Sequence, residues 1–158
     1  MRSRLRFPVV LALVAALVVV PATAAGAEVD LPEVGFSTQY ICWESTPAVQ
    51  PAINTAAAEN QKCDVRVGLS KPSKREVVFT YRTEAGSAKP QADYVEVREA
   101  RSLIKPGEVE VYITLEIVPD RIPEPEEFFT VLLLQASGAT VGQRSGTVTI
   151  RDSDQSQD

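Results

Sequence analysis

The sequence predicts an all-β, immunoglobulin-like antiparallel β-sandwich of about seven strands. Three observations predict it. Apolar residues recur at every second position in short runs. Clusters of Gly, Pro, Ser and Lys separate those runs at short intervals. No stretch carries a helical period.

The runs are read in chain order. An opening strand is predicted over residues 34–43. Val65, Val67 and Leu69 alternate with Asp64, Arg66 and Gly68, and Val77, Phe79 and Tyr81 alternate with Val78, Thr80 and Arg82. A short strand is predicted over residues 93–97. Val109, Val111, Ile113, Leu115 and Ile117 then alternate with polar residues, which gives one buried and one wet face. Phe129, Val131 and Leu133 alternate with Thr130, Leu132 and Leu134, so this strand is apolar on both faces and is expected to be central. Val148 and Ile150, between threonines, close the set. Turn chemistry stands at SKPS (70–73), EAGS (84–87), KPGE (105–108) and SGA (137–139).

Two segments depart from this pattern. Residues 45–62, STPAVQPAINTAAAENQK, show no alternation and are predicted to form a long loop between the first two strands. Residues 1–27 read as a secretory signal: Arg2, Arg4 and Arg6, then 12 apolar residues over 9–20, then small residues. Cleavage fits after Ala24 or after Ala27. The apolar run is shorter than the roughly 20 residues a membrane span needs, and no second long apolar segment follows it. The expected product is therefore secreted, with a sandwich domain over residues 28–154 and a frayed polar tail over 155–158.

Composition limits the chemistry. The 158 residues contain no His, which excludes Ser-His-Asp and Cys-His catalysis and His-based metal sites. The formal charge of −5 becomes −8 when the signal's three Arg are removed, because residues 1–27 hold no acid. A basic face for nucleic acid is not expected. In an exported chain the two cysteines, Cys42 and Cys63, are expected to form one disulfide. Closing that loop contributes about 3 kcal/mol by the chain-entropy estimate.

The carboxylates are concentrated. One group lies in PDRIPEPEE (119–127), between two strands, and another follows the last strand in RDSD (151–154). In a sandwich these two segments can share an end, where like charges raise one another's pKa values. Oxygen-rich clusters of this kind suit Ca²⁺, which takes six to eight oxygen ligands.

With these pieces in place, residues 63–154 resemble a Calx-beta domain, the calcium-binding sandwich of sodium–calcium exchangers and of many bacterial surface proteins. The matching stretches are VGLSKPS (67–73), TYRTEAGSA (80–88), ADY (92–94), IKPGE (104–108), DRIPEPEEFFTV (120–131), GATVG (138–142) and VTIRDSD (148–154). The specificity lies in their order and spacing. The resemblance implies a metal-ligand set of Glu44, Asp120, Glu124, Glu127, Asp152 and Asp154. It also exposes departures: Ala85, Pro119 and Ser153 stand where the family often carries Asp. The remaining set is expected to hold one or two Ca²⁺, weakly, since fewer carboxylates lower affinity.

Other residues have plainer readings. Trp43, beside Cys42, is expected to pack on the disulfide or the core rather than to stand exposed as a sugar platform. Tyr94 is expected to tie a turn to the sheet, and Asp93 to bond backbone amides. Residues 98–101 read as a wet edge with weak ion pairs, and 138–142 as a turn. The leading functional expectation is a non-catalytic extracellular binding or scaffold module with calcium-rigidified loops. Its partner is expected to be an extracellular protein or cell-surface component. Two alternatives stand beside it: a calcium-independent interaction domain presenting residues 45–62, and, more remotely, a hydrolase using Glu124 and Glu127.

Overall fold

The computed structural model describes residues 30–44, 60–120 and 122–152. The predicted signal, most of the predicted loop (45–59), Arg121 and residues 153–158 lie outside the described residues.

Nine strands form among the described residues: β1 (Glu33–Phe36), β2 (Gln39–Glu44), β3 (Gln61–Leu69), β4 (Val77–Ala85), β5 (Ala100–Ile104), β6 (Glu110–Ile117), β7 (Glu127–Ser137), β8 (Thr140–Val141) and β9 (Ser145–Asp152). They make two sheets, with strand orders β6-β3-β1-β8 and β2-β9-β7-β4-β5. The expected β-sandwich is present, with nine strands instead of about seven.

The period-two runs set the inner faces. Cys63, Val65 and Val67 of β3 are buried, as are Val77, Phe79 and Tyr81 of β4 and Ile113, Leu115 and Ile117 of β6. Phe129, Val131 and Leu133 of β7 and Val148 and Ile150 of β9 complete the facing layer. Each such side chain contributes roughly 1.5–3 kcal/mol by leaving water. β7 is central, between β9 and β4, as its two apolar faces predict.

Four local expectations are corrected. The predicted single strand over 34–43 is two strands in different sheets: β1 pairs with β3 and β8, whereas β2 pairs with β9. The Tyr40 hydroxyl fixes this crossing, accepting the Ser37 amide at 2.7 Å and donating to the Arg66 carbonyl of β3. No strand forms over 93–97; Tyr94 there makes only isolated bridges to Pro90 and Ile117. β5 forms just after it, overlapping the segment read as a wet edge, and residues 138–142, read as a turn, include the two-residue strand β8.

Trp43 is the fourth correction. It does not pack on the disulfide or the core but is 54% exposed. The cause is the alternation itself. Cys42 and Glu44 point inward on β2, so Trp43 between them points out.

The strand directions define one end of the sandwich. β2 and β9 run parallel and finish there at Glu44 and Asp152, while the antiparallel β7 begins there at Glu127. β4, antiparallel to β7, also ends there, at Ala85 opposite Phe129. The Cys42–Cys63 disulfide joins β2 to β3, and thus sheet to sheet, with Cα atoms 5.7 Å apart. At the turn after β4, Gly86 admits no side chain, since a Cβ would lie 2.5 Å from the Phe128 ring.

Candidate metal centre

Five of the six expected ligand residues are described, and all five lie at this end. Glu44 closes β2, Asp152 closes β9, and Glu127 opens β7. Asp120 and Glu124 lie on the segment between β6 and β7. Asp154 lies outside the described residues. Of the three departures, Ala85 ends β4 and Pro119 is buried behind Asp120, so neither position supplies a carboxylate; Ser153 is not described.

Backbone amides hold the segment in place. The Glu44 carboxylate accepts the Asp120 amide at 2.7 Å, and Asp152 Oδ2 accepts the Glu124 amide at 2.9 Å. Asp120 Oδ1 in turn accepts the Ile122 amide at 2.6 Å. Two strand ends thus clamp the acidic segment at two points. Glu44 is 6% exposed, so its backbone bond forms away from water.

The tightest group is Asp93, Glu124 and Glu127. Each offers a carboxylate oxygen, and the three oxygens lie within 4.8 Å of one another. By sequence Asp93 is expected to bond backbone amides rather than a metal. It does bond an amide, accepting Lys89 N at 2.6 Å, but it also joins the carboxylates. The signal was the adjoining Tyr94, which is fully buried and stacks on Phe129 with ring centroids 4.0 Å apart. That anchor carries Asp93 to the start of β7.

The electrostatics are those of crowded acids. Burial pushes Glu127 up, a hydrogen bond with Asp93 and the Asp93 and Glu124 charges add to it, and its pKa reaches about 7. Glu124 is raised by burial and by Asp93, Asp120 and Asp152, with Lys89 opposing. Glu44 is raised by burial, opposed by the Asp120 amide, and raised further by Asp120, Asp152 and Glu124. Repulsion was the cause expected from sequence; desolvation is the larger one in all three.

The donor set fits a hard cation. All the candidate ligands are carboxylate oxygens, and a spread of 4.8 Å is about twice a Ca²⁺–oxygen distance of roughly 2.4 Å. An ion between Asp93, Glu124 and Glu127 can therefore touch all three. It would also replace the proton that the raised pKa of Glu127 retains.

Fold and site together define a β-sandwich module with a carboxylate-lined end. A family profile described as Calx-beta domain matches residues 49–154. The chain belongs to the Calx-beta domain family, a family of calcium-binding modules. Solved structures share the fold. The apo form of the Calx CBD1 domain is 22% identical, with a TM-score of 0.62 over 79% of this chain and 100% of that one. The Calx CBD2 domain is 16% identical, with a TM-score of 0.60 over 80% and 91%. The calcium binding domain CBD12 of CALX1.1 is 22% identical, with a TM-score of 0.61, and the match covers 77% of this chain and 46% of that one. No curated protein matches the chain.

Proposed function

We propose that this chain is a secreted, non-catalytic binding or scaffold module whose carboxylate end takes one or two Ca²⁺. The observation that carries this reading is the convergence of Asp93, Glu124 and Glu127 oxygens within 4.8 Å. The ion would sit where the segment before β7 meets the loop between β4 and β5, and neutralising their charges would order both. Glu44, Asp120 and Asp152 would position that segment and add negative potential. The Calx-beta membership supports the ion. The disulfide and the signal-like residues 1–27 support export. An extracellular protein or cell-surface component is the partner class that fits an exported module of this kind.

Extracellular calcium modules work with dissociation constants of roughly 10⁻⁴–10⁻³ M, and the lack of acids at Ala85 and Pro119 supports a weak site of that kind. Isothermal titration with CaCl₂ tests the reading. The expected result is saturable heat at one or two ions per chain, retained in 0.15 M NaCl. Absence of heat up to 10 mM Ca²⁺ would contradict it.

A further inference from the structure

The outer face of the five-stranded sheet carries a second feature, which borders the carboxylate end at Glu127 and Asp152. The registers of β2, β9 and β7 lay it out in rows. Trp43 lies opposite Arg151, Ile41 opposite Thr149, and Thr149 opposite Phe128. Trp43 is 54% and Phe128 46% exposed. Between these aromatics the floor is polar, with the hydroxyls of Thr147 and Thr149 from β9 and an Arg151–Glu126 ion pair at 2.7 Å.

Two hollows cover this floor. One, of about 410 Å³, is lined by Trp43, Pro125, Glu126, Arg151 and Asp152. The other, of about 330 Å³, is lined by Gln39, Glu126, Glu127, Phe128, Thr147 and Thr149, and shares Glu126 with the first. β9 separates the two aromatic strands and the two rows lie two residues apart along it, so Trp43 and Phe128 stand roughly 12 Å apart.

We propose that this face, between Trp43 and Phe128, binds a neutral oligosaccharide. A sugar ring presents an apolar C–H face and a belt of hydroxyls, so it needs a flat apolar platform beside donors and acceptors held in place. The indole and the phenyl ring supply two platforms, at a spacing that two non-adjacent rings of a chain can span. The threonine hydroxyls and the Arg151–Glu126 pair supply the polar contacts. Arg151 is outnumbered by Glu126, Glu127 and Asp152 around the two hollows, which disfavours an anionic ligand. A cationic ligand is disfavoured because the Arg151 guanidinium already lies 5.7 Å from the Trp43 ring centroid. A protein partner is disfavoured because the floor between the aromatics is hydroxyl-lined and charged, where an interface core is depleted of charge.

Glu127 and Asp152 of the carboxylate end also line the hollows, so the test runs both in EDTA and in 5 mM CaCl₂. Trp43 is the chain's single tryptophan and serves as the reporter. Its fluorescence is titrated with cellohexaose, N-acetylchitohexaose and maltohexaose, with hexalysine as the cationic comparison. The expected result is a saturable change with at least one hexasaccharide under both conditions. The dissociation constant should weaken at least tenfold in Phe128→Ala and in Thr149→Val. Thr149→Val keeps a strand-favouring side chain and decides the matter if Phe128→Ala lowers the thermal midpoint. No saturable change with any of the three sugars would overturn the proposal. So would saturation by hexalysine alone, or unchanged sugar affinity in Thr149→Val.

Discussion

Glu127, at the head of β7, brings its carboxylate oxygen within 4.8 Å of that of Asp93, on the loop between β4 and β5. Burial, with the neighbouring Asp93 and Glu124 charges, makes the acidic end respond to pH in a direction opposite to that of an ordinary ion pair. The folded pKa of Glu127, about 7, lies above its ordinary value of 4.5. The folded chain therefore holds the Glu127 proton more tightly than the unfolded chain does. The resulting stability is full below pH 4.5 and is lost as pH rises through 7. Glu44 and Glu124 are raised too and act in the same direction. In EDTA, the thermal midpoint is expected to fall between pH 5 and pH 8. A midpoint that rises over this interval would contradict the assignment.

The same proton is expected to compete with Ca²⁺ at the proposed site. Below pH 7 each unit of acidification is expected to weaken the apparent calcium affinity by about tenfold, the limit for one displaced proton. Calorimetry at pH 6, 7 and 8 in buffers of differing ionisation heat counts the protons released. A pH-independent affinity would remove Glu127 from the ligand set.

Neutralising one acid should separate stability from binding. Glu127→Gln removes a charge crowded by Asp93 and Glu124, so the ion-free chain is expected to gain stability above pH 7. Calcium affinity is expected to fall at least tenfold in the same variant. Thermal melts in EDTA and titrations with CaCl₂ read the two effects, and a loss in both would mean that the contact is structural only.

Glu44 has a different role from Glu127. Its buried carboxylate accepts the Asp120 amide, so truncation strands a donor. Glu44→Ala is expected to cost about 1–3 kcal/mol. Glu44→Gln retains an acceptor and is expected to cost less. Urea denaturation of both variants measures the difference, and equal costs would show that the amide bond is not what Glu44 contributes.

The disulfide sits two residues before Glu44 and ties its strand to the opposite sheet. The Cys42→Ala, Cys63→Ala double variant is expected to lose about 3 kcal/mol. Urea denaturation checks this, and a loss below about 1 kcal/mol would place the restraint elsewhere.

The strands that bury one face cleanly were legible because burial itself writes period two into β3, β4, β6, β7 and β9. The split between β1 and β2 was not, because the crossing depends on Tyr40 reaching Arg66 on another strand. β5 was hidden because it is an edge strand with Arg101 and Leu103 facing out. Trp43 was misread although its phase was available: with Cys42 facing in, its neighbour must face out. The acidic segments were visible as composition, and the resemblance named five residues that the topology brings to one end. Asp93 was missed because its proximity to Glu127 depends on how the buried Tyr94 seats the loop, which local sequence does not state.

The most direct measurement of the central claim is a pair of thermal melts at pH 7.5, one in 5 mM CaCl₂ and one in EDTA. A ligand that binds only the folded chain stabilises it by RT ln(1 + [L]/Kd). For a Kd in the range of extracellular modules, the calcium melt is expected to lie higher by about 5 °C. Coincident melts, with MgCl₂ giving the same midpoint as CaCl₂, would contradict a calcium site at Asp93, Glu124 and Glu127.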